Sequence, residues 1–238
     1  WATSLSFTFQ LYFDFSGYTD MALGIALLFN IKLPINFNSP YQATNIQEFW
    51  RRWHITLTRF LKDYVYIPLG GNRKSHLRIH GNILATFFLC GLWHGAGWTF
   101  IFWGIIHGVA MQVHRIWKDI GFKMNKYLAG IITFNFVNIS WVFFRAEEWK
   151  DAVKVLRGMF GLEGVVVTDD LVEALPFLLD YGFYVGDHLI NMFANDDVFR
   201  MLIVFSLITF FFKNSNQHRK EFRMNSATLA FAIFTLAV

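Results

Sequence analysis

The chain has 238 residues, of which 55% are hydrophobic, 19% are aromatic and only 16% are charged. Soluble domains carry about 25% charged residues, so this composition argues against a soluble globular protein and favours a polytopic membrane protein. The net charge of +4 is small, and the charged residues are unevenly distributed along the chain, a pattern that is typical of the loops of a membrane protein and not of a nucleic-acid-binding surface. The single cysteine excludes a framework of disulfide bonds.

The first predicted element is an apolar helix over residues 4–33, about 45 Å long at about 1.5 Å per residue. It carries two carboxylates, Asp14 and Asp20, which are costly inside a membrane unless they face protein or water. Carboxylates inside a membrane often have a functional role. A structural role, in which Asp14 and Asp20 pair with Arg51, Arg52 or a tyrosine, is an equal alternative.

The second element is an amphipathic helix over residues 46–66, with Asn45 or Thr44 as its N-cap. It is too charged to cross a bilayer unaided, so we predict an interfacial or re-entrant helix with its cations toward the cytoplasmic headgroups. These cations could bind anionic headgroups, the phosphates of a thioester cofactor or a carrier protein, or could form a positive-inside belt: Arg51, Arg52, Arg59, Lys62 and Arg73. His54 lies within this helix and could orient a substrate or be purely structural.

The third element is a predicted helical hairpin over residues 83–93 and 99–113, broken by glycines beside His94. An imidazole in an apolar surround is suited to take a proton from a hydroxyl at neutral pH. His94 is therefore a candidate general base, and a structural histidine at a helix bend is the competing interpretation.

Three further spans are predicted, over residues 127–144, 198–212 and 227–238. The loops 73–78, 115–126 and 213–223 are basic and are predicted to be cytoplasmic. Residues 168–197 are acidic and contain no Lys or Arg, so the segment 145–197 is predicted to lie outside. His107 and His114 are treated as structural or interfacial, since the chain has no histidine or cysteine spacing typical of a metal site. Apolar residues at both ends of the chain lead us to expect one domain, residues 1–238, that is part of a longer protein.

Three strings together resemble a known family: LYFDFSGYTDMALGIALLFNIKLPINFNSPYQATNIQEFWRRWHITLTRFLKDYVYIPLGGNR, GLWHGAGWTFIFWGIIHG and NFVNISWVFFRAE. They are similar to the membrane-bound O-acyltransferases, specifically to the branch of the alginate O-acetyltransferase membrane subunit. The resemblance covers most of residues 1–150 and is much weaker after Val165. It implies an all-α, multi-helix membrane bundle with interfacial or re-entrant helices, of which this chain supplies about the C-terminal half.

The resemblance also implies roles for individual residues. The histidine of the WHG motif, His94, corresponds to the catalytic residue, and that of the RRWH motif, His54, to the second characteristic histidine. Beyond the resemblance, we expect His54 and Trp93 to shape the passage between donor and acceptor, and the candidates for substrate binding are Trp93, Trp53, Asp14, Arg51 and Arg52. We expect no bound cofactor and no metal.

The implied reaction takes an acyl group from a cytoplasmic thioester, acetyl-CoA or another, to a hydroxyl on or beyond the outer face of a bacterial inner membrane. An exported acetyltransferase partner is expected, and the acceptor could be alginate, another exopolysaccharide or a cell-wall glycan. A D-alanylation relative shares both histidines. Two alternatives from other classes are a proton-coupled transporter using Asp14, Asp20, His94 and His107, and a structural scaffold in an export complex. The transporter predicts inverted repeats, which the sequence does not show.

Overall fold

A computed structural model describes residues 1–167, 173, 175–177, 183–185 and 196–221. Their regular secondary structure is helical, including a 3-10 turn at Pro40–Gln42, apart from two short parallel strands, β1 (Val165–Val167) and β2 (Phe183–Val185). The helices are α1 (Ala2–Leu28), α2 (Ile46–Arg52), α3 (Ile55–Leu61), α4 (His76–His94), α5 (Trp98–Ile120), α6 (Lys126–Arg145), α7 (Trp149–Met159), α8 (Asp196–Phe211) and α9 (Ser215–Glu221). The predicted helical fold is confirmed in the described part of the chain, except for this strand pair. The predicted span 227–238 lies outside the described residues.

Helices α4 and α5 form the predicted hairpin, joined by a three-residue connection after His94. Their backbones approach closely at two glycines. A Cβ atom on Gly91 would lie 2.5 Å from the carbonyl oxygen of Phe100, and one on Gly104 would collide with the carbonyl oxygen of Phe87. Neither position has room for a larger residue, so these glycines set the distance between the two helices.

A buried polar network joins α1 to α6. The hydroxyl of Thr8 donates to Oδ1 of Asn138 at 2.7 Å, and Nδ2 of Asn138 donates to the hydroxyl of Ser4 at 3.3 Å. Tyr41, from the loop after α1, donates its hydroxyl proton to the Thr8 carbonyl at 2.8 Å. Because each of these groups is paired, the network fixes the register of two apolar helices without leaving an unsatisfied dipole.

The centre of the molecule is a cluster of aromatic side chains contributed by α2, α5 and α6. Trp103 and Trp141 are each 1% exposed and stack with their ring centroids 5.6 Å apart. Phe49, Trp50 and Trp53 from α2 and its C-terminus are also buried and pack against them. This cluster is the scaffold that carries the predicted site.

The segment over residues 46–66 is not the single helix that the sequence predicted. It breaks at Trp53 and His54, where Trp53 is extended and His54 adopts a left-handed conformation with φ 40°. A π-helical turn, Lys62–Tyr66, follows α3. The break is held from outside the segment, because the backbone N–H of Ile55 donates to the carbonyl of Asn36 at 3.0 Å and Thr56 donates to the Asn36 side chain. The predicted N-cap is confirmed, since Asn45 accepts from the Glu48 N–H.

Hydropathy identifies fewer spans among the described residues than the sequence analysis predicted. Helix α6 is long and apolar enough to cross a bilayer, with a mean hydropathy of 1.5. Helices α8 and α9 are also long and apolar enough when they are taken as one span, which is bent by 47° between them. Helices α1, α4 and α5 have 27, 19 and 23 residues. They are long enough to span about 30 Å of hydrocarbon, but their polar residues lower their hydropathy.

Candidate functional site

His94 is the last residue of α4 and stands at the turn of the α4–α5 hairpin. Its half-buried imidazole packs against three aromatic rings, those of Trp93, Trp103 and Phe144, at centroid distances of 4.8, 5.2 and 5.1 Å. Next to it, Trp93 is 65% exposed. The histidine is therefore held in an apolar wall at one end of the hairpin and is still partly accessible from that end.

The structure brings His54 and His94 into electrostatic reach of each other, although 40 positions separate them in the sequence. His54 is half-buried, and its ring packs edge-on against Phe15 at 4.9 Å. Its Nδ1 atom is buried without a hydrogen-bond partner among the described residues. A positive φ is uncommon for residues other than glycine, and strained backbone positions of this kind cluster at active sites, although Asn30 and Ser39 in this chain also have a positive φ.

His107 has a different environment, because both of its ring nitrogens are engaged. Nδ1 accepts the indole N–H of Trp50 at 3.2 Å, and Nε2 lies 3.0 Å from the hydroxyl of Ser140. That hydroxyl donates its proton to the carbonyl of Val137 at 2.7 Å, so Nε2 must be the donor toward Ser140. His107 is thus a fully buried neutral imidazole that links α2, α5 and α6.

A cavity of about 780 Å³ lies at the opposite end of the hairpin from His94. Among the described residues its walls carry five cationic side chains and one carboxylate: Arg51, Lys62, Arg73, Arg115, Lys118 and Asp119. The Nε atom of Arg115 is buried and has no acceptor in the described part of the chain. The inner wall includes Trp50 and Phe87, which connect the cavity to the aromatic cluster. The cavity is therefore suited to an anionic ligand with an apolar extension.

The two arginines of the RRWH motif have separate surroundings. Arg51 is exposed and lines the cavity. Arg52 pairs with Glu48 at 2.7 Å and donates to the carbonyls of Asn38 and Ser39 at 3.3 and 3.4 Å. Burial acts to raise the pKa of Glu48, but hydrogen bonds from Thr44 and Arg52 outweigh burial and hold the pKa below its ordinary value. Arg52 thus fastens α2 to the loop before it.

The remaining predicted site residues are dispersed. Trp53 is buried in the aromatic cluster and packs against Trp141 at 5.0 Å. Asp14 is exposed on α1, and Asp20 accepts a 2.6 Å hydrogen bond from the Ser215 hydroxyl of α9. Neither carboxylate pairs with Arg51 or Arg52 in the ion pairs of the described residues. In the same part of the chain, no group of three or more His, Cys, Asp or Glu side chains could hold a metal ion.

Sequence reasoning missed two features near the site. One is the pairing of His107 with Trp50 and Ser140, which joins three helices and leaves no trace in local spacing. The other is Trp103, whose ring touches both His94 and His107. The spacing from Trp103 to His107 is one helical turn and could have suggested that the two rings lie on one face.

Comparison with known proteins assigns this arrangement to a class. Residues 1–146 match the membrane-bound O-acyltransferase family, MBOAT. The chain belongs to this family, and the predicted membership is confirmed.

Individual relatives refine the comparison. The chain is 52% identical over 245 residues to a peptidoglycan O-acetyltransferase of Helicobacter pylori, a match that covers 100% of this chain and 46% of the relative. It is 46% identical over 161 residues to the probable alginate O-acetylase AlgI of Pseudomonas aeruginosa, covering 67% of this chain and 31% of the relative. It is 34% identical over 160 residues to a teichoic acid D-alanyltransferase of Bacillus subtilis, covering 60% and 40%. The chain spans less than half the length of these relatives. The match to the peptidoglycan relative continues beyond Val165, where the sequence analysis expected similarity to fade.

Proposed function

We propose that this protein is a membrane-bound O-acetyltransferase that transfers an acetyl group from a thioester to a hydroxyl group, with His94 as the general base. The observation that carries the proposal is the position of His94 at the hairpin turn, partly accessible, with His54 in electrostatic reach and a basic cavity at the other end of the same two helices. Placing donor and acceptor at opposite ends of one hairpin suits transfer across a membrane.

The reaction balances without a cofactor. His94 accepts the proton of the acceptor hydroxyl while the hydroxyl oxygen attacks the thioester carbonyl carbon. The C–S bond then breaks, and the leaving thiolate takes the proton back from the imidazole. The products are an acetyl ester and a free thiol, and the base is regenerated. His54, held in its left-handed conformation beside this site, orients the reacting groups together with Trp93, and Trp53 supports His54 from the buried aromatic cluster.

The donor in this proposal is acetyl-CoA or another phosphate-bearing acyl thioester. Its support is the cavity, where Arg51 is exposed and Arg115 has a buried Nε without an acceptor among the described residues. The phosphates would bind to these guanidinium groups, and the thioester arm would extend toward Trp50. Asp14 and Arg52 remain proposed substrate contacts with weaker support, since Arg52 is engaged by Glu48.

For the acceptor, we propose a glycan of the cell wall, because the relative named a peptidoglycan O-acetyltransferase matches the whole chain at higher identity than the alginate O-acetylase does. The protein would then be a multi-pass protein of the bacterial inner membrane, with the basic loops cytoplasmic and an exported partner passing the acetyl group on to this glycan. D-alanyl transfer is a second candidate, favoured by the match to the teichoic acid D-alanyltransferase.

The test is an acyl-transfer assay with the native full-length protein in membranes, supplied with labelled acetyl and D-alanyl thioesters. His94→Ala is expected to lower transfer by about 10²–10⁴-fold, the usual contribution of a positioned base. The matched control is His76→Ala, which removes an exposed histidine from the other end of the same helix and should leave transfer unchanged. Near-normal transfer by His94→Ala would refute the proposal, and transfer of D-alanine alone would select the second candidate.

A further inference from the structure

The indole N–H of Trp103 is a buried hydrogen-bond donor with no acceptor among the described residues. The side chain is only 1% exposed, so bulk solvent does not satisfy it. Leaving a buried donor unpaired costs about 1–3 kcal/mol, and natural proteins rarely retain such a group without a role for it. The missing acceptor is therefore informative about what this site binds.

Trp103 lies between the basic cavity and His94. Its ring meets the His94 ring edge to face, with centroids 5.2 Å apart and an angle of 89° between the planes. On another side it packs against Trp50, at 5.9 Å, and Trp50 forms part of the inner wall of the cavity. The Trp103 ring therefore connects the inner wall of the cavity with His94.

We propose that the Trp103 N–H donates a hydrogen bond to the carbonyl oxygen of the acyl thioester when the carbonyl carbon lies beside His94. The inference rests on the proposed acyl transfer. As the acceptor oxygen attacks and His94 takes its proton, the carbonyl electron pair moves onto that oxygen, and the charge is released again when the C–S bond breaks. A preorganised donor in a dry site stabilises this developing charge. The substrate oxygen would thereby satisfy the orphaned donor.

Trp141 provides a matched comparison on the next helix. It is buried to the same extent as Trp103 and stacks on it, but its indole N–H is directed at the hydroxyl of Tyr41. Its ring contacts run to Trp53, Phe49 and Phe144, and the described residues show no ring contact between Trp141 and His94. Replacing either tryptophan with phenylalanine removes the same atoms from the same aromatic cluster, but only Trp103 lies against His94.

The direct measurement is the infrared C=O stretch of a ¹³C-carbonyl acetyl thioester bound to the full-length protein. Recording it in the His94→Ala background keeps the thioester from being consumed by transfer. Adding Trp103→Phe is expected to raise the stretching frequency, because the hydrogen bond that weakens the C=O bond is lost, whereas adding Trp141→Phe leaves the frequency unchanged. No shift with Trp103→Phe, or an equal shift with both variants, would overturn the proposal.

Kinetics of the protein with its native His94 supply the second readout. Trp103→Phe should lower kcat by about 10²–10³-fold with little change in KM, as removal of a single oxyanion donor does. If that variant fails to fold, β-(3-benzothienyl)alanine at position 103 keeps both rings and replaces only the N–H by sulfur. An unchanged kcat with this isostere would contradict the role of Trp103 even if His94 proves essential. Conversely, an active His94→Ala protein would refute the proposed function, whatever Trp103 does.

Discussion

Trp50 donates its indole N–H to Nδ1 of His107 at 3.2 Å, in the fully buried centre of the protein. Because Nε2 of the same ring donates to Ser140, His107 has no free nitrogen with which to accept or pass on a proton. This bonding argues against a proton relay through His107, which the transporter alternative requires. The residue acts as a cross-link among α2, α5 and α6.

His107→Ala should therefore reduce stability and leave the chemistry of folded protein intact. The substitution opens a cavity, leaves the indole N–H of Trp50 without its acceptor and removes the donor to the Ser140 hydroxyl, at a cost of about 2–5 kcal/mol. The measurements are the Tm in detergent and the acyl-transfer rate per folded molecule. The exposed His76→Ala should change neither. A His107→Ala protein of native Tm that has lost all transfer would assign His107 a chemical role instead.

Gly104→Ala should destabilise the α4–α5 hairpin. Its Cβ would collide with the Phe87 carbonyl oxygen and lie 3.1 Å from the Cα atom of Gly91, both of which are backbone atoms. Such overpacking costs about 1–3 kcal/mol and outweighs the gain of about 1 kcal/mol in helix propensity. At Gly130 of α6, an added Cβ meets nothing within 4 Å, so Gly130→Ala should keep or raise the Tm. Equal Tm values for the two alanine variants would show that the helices do not pack as described.

Arg51→Gln and Arg115→Gln should weaken binding of a donor that carries phosphates. Each loses a charge-assisted contact, and we expect KM for acetyl-CoA to rise about tenfold per variant, equivalent to about 1.4 kcal/mol. KM for N-acetylcysteamine acetyl thioester, which has no phosphate, should stay the same. Arg157→Gln serves as the control, because its guanidinium pairs with Glu163 beyond the end of α7 and does not line the cavity. A parallel rise in KM for both donors would remove the phosphate role from these arginines.

The sequence predicted those features that follow from local pattern. The hairpin turn at His94, the N-cap at Asn45 and the apolar helix α6 were all predicted from apolar runs, glycines and capping residues, and the structure confirms them. The break at His54 was missed because its cause is remote: Asn36 holds the start of α3 from another part of the chain. Periodicity reports which face a residue occupies and carries no information on such tertiary hydrogen bonds.

The site was predictable only in part for the same reason. Family resemblance named both histidines, but their proximity depends on how α2 and the loop before it pack against the hairpin, and no spacing rule covers 40 residues. The sequence analysis likewise treated Arg51 and Arg52 as equivalent candidates for substrate binding. In the structure, Arg51 lines the cavity, whereas Arg52 pairs with Glu48. Neighbours in a motif need not share an environment.

The central claim, that His94 and His54 serve one acyl-transfer site, is tested most directly by a double-mutant cycle on the transfer rate of the full-length protein. Residues that act as a unit give non-additive losses. We predict that the variant carrying both His54→Ala and His94→Ala transfers acyl groups no more slowly than His94→Ala alone, with each single variant strongly impaired. If the fold-loss in transfer rate of the double variant equals the product of the two single-variant losses, or if either single variant transfers at the native rate, the account is contradicted.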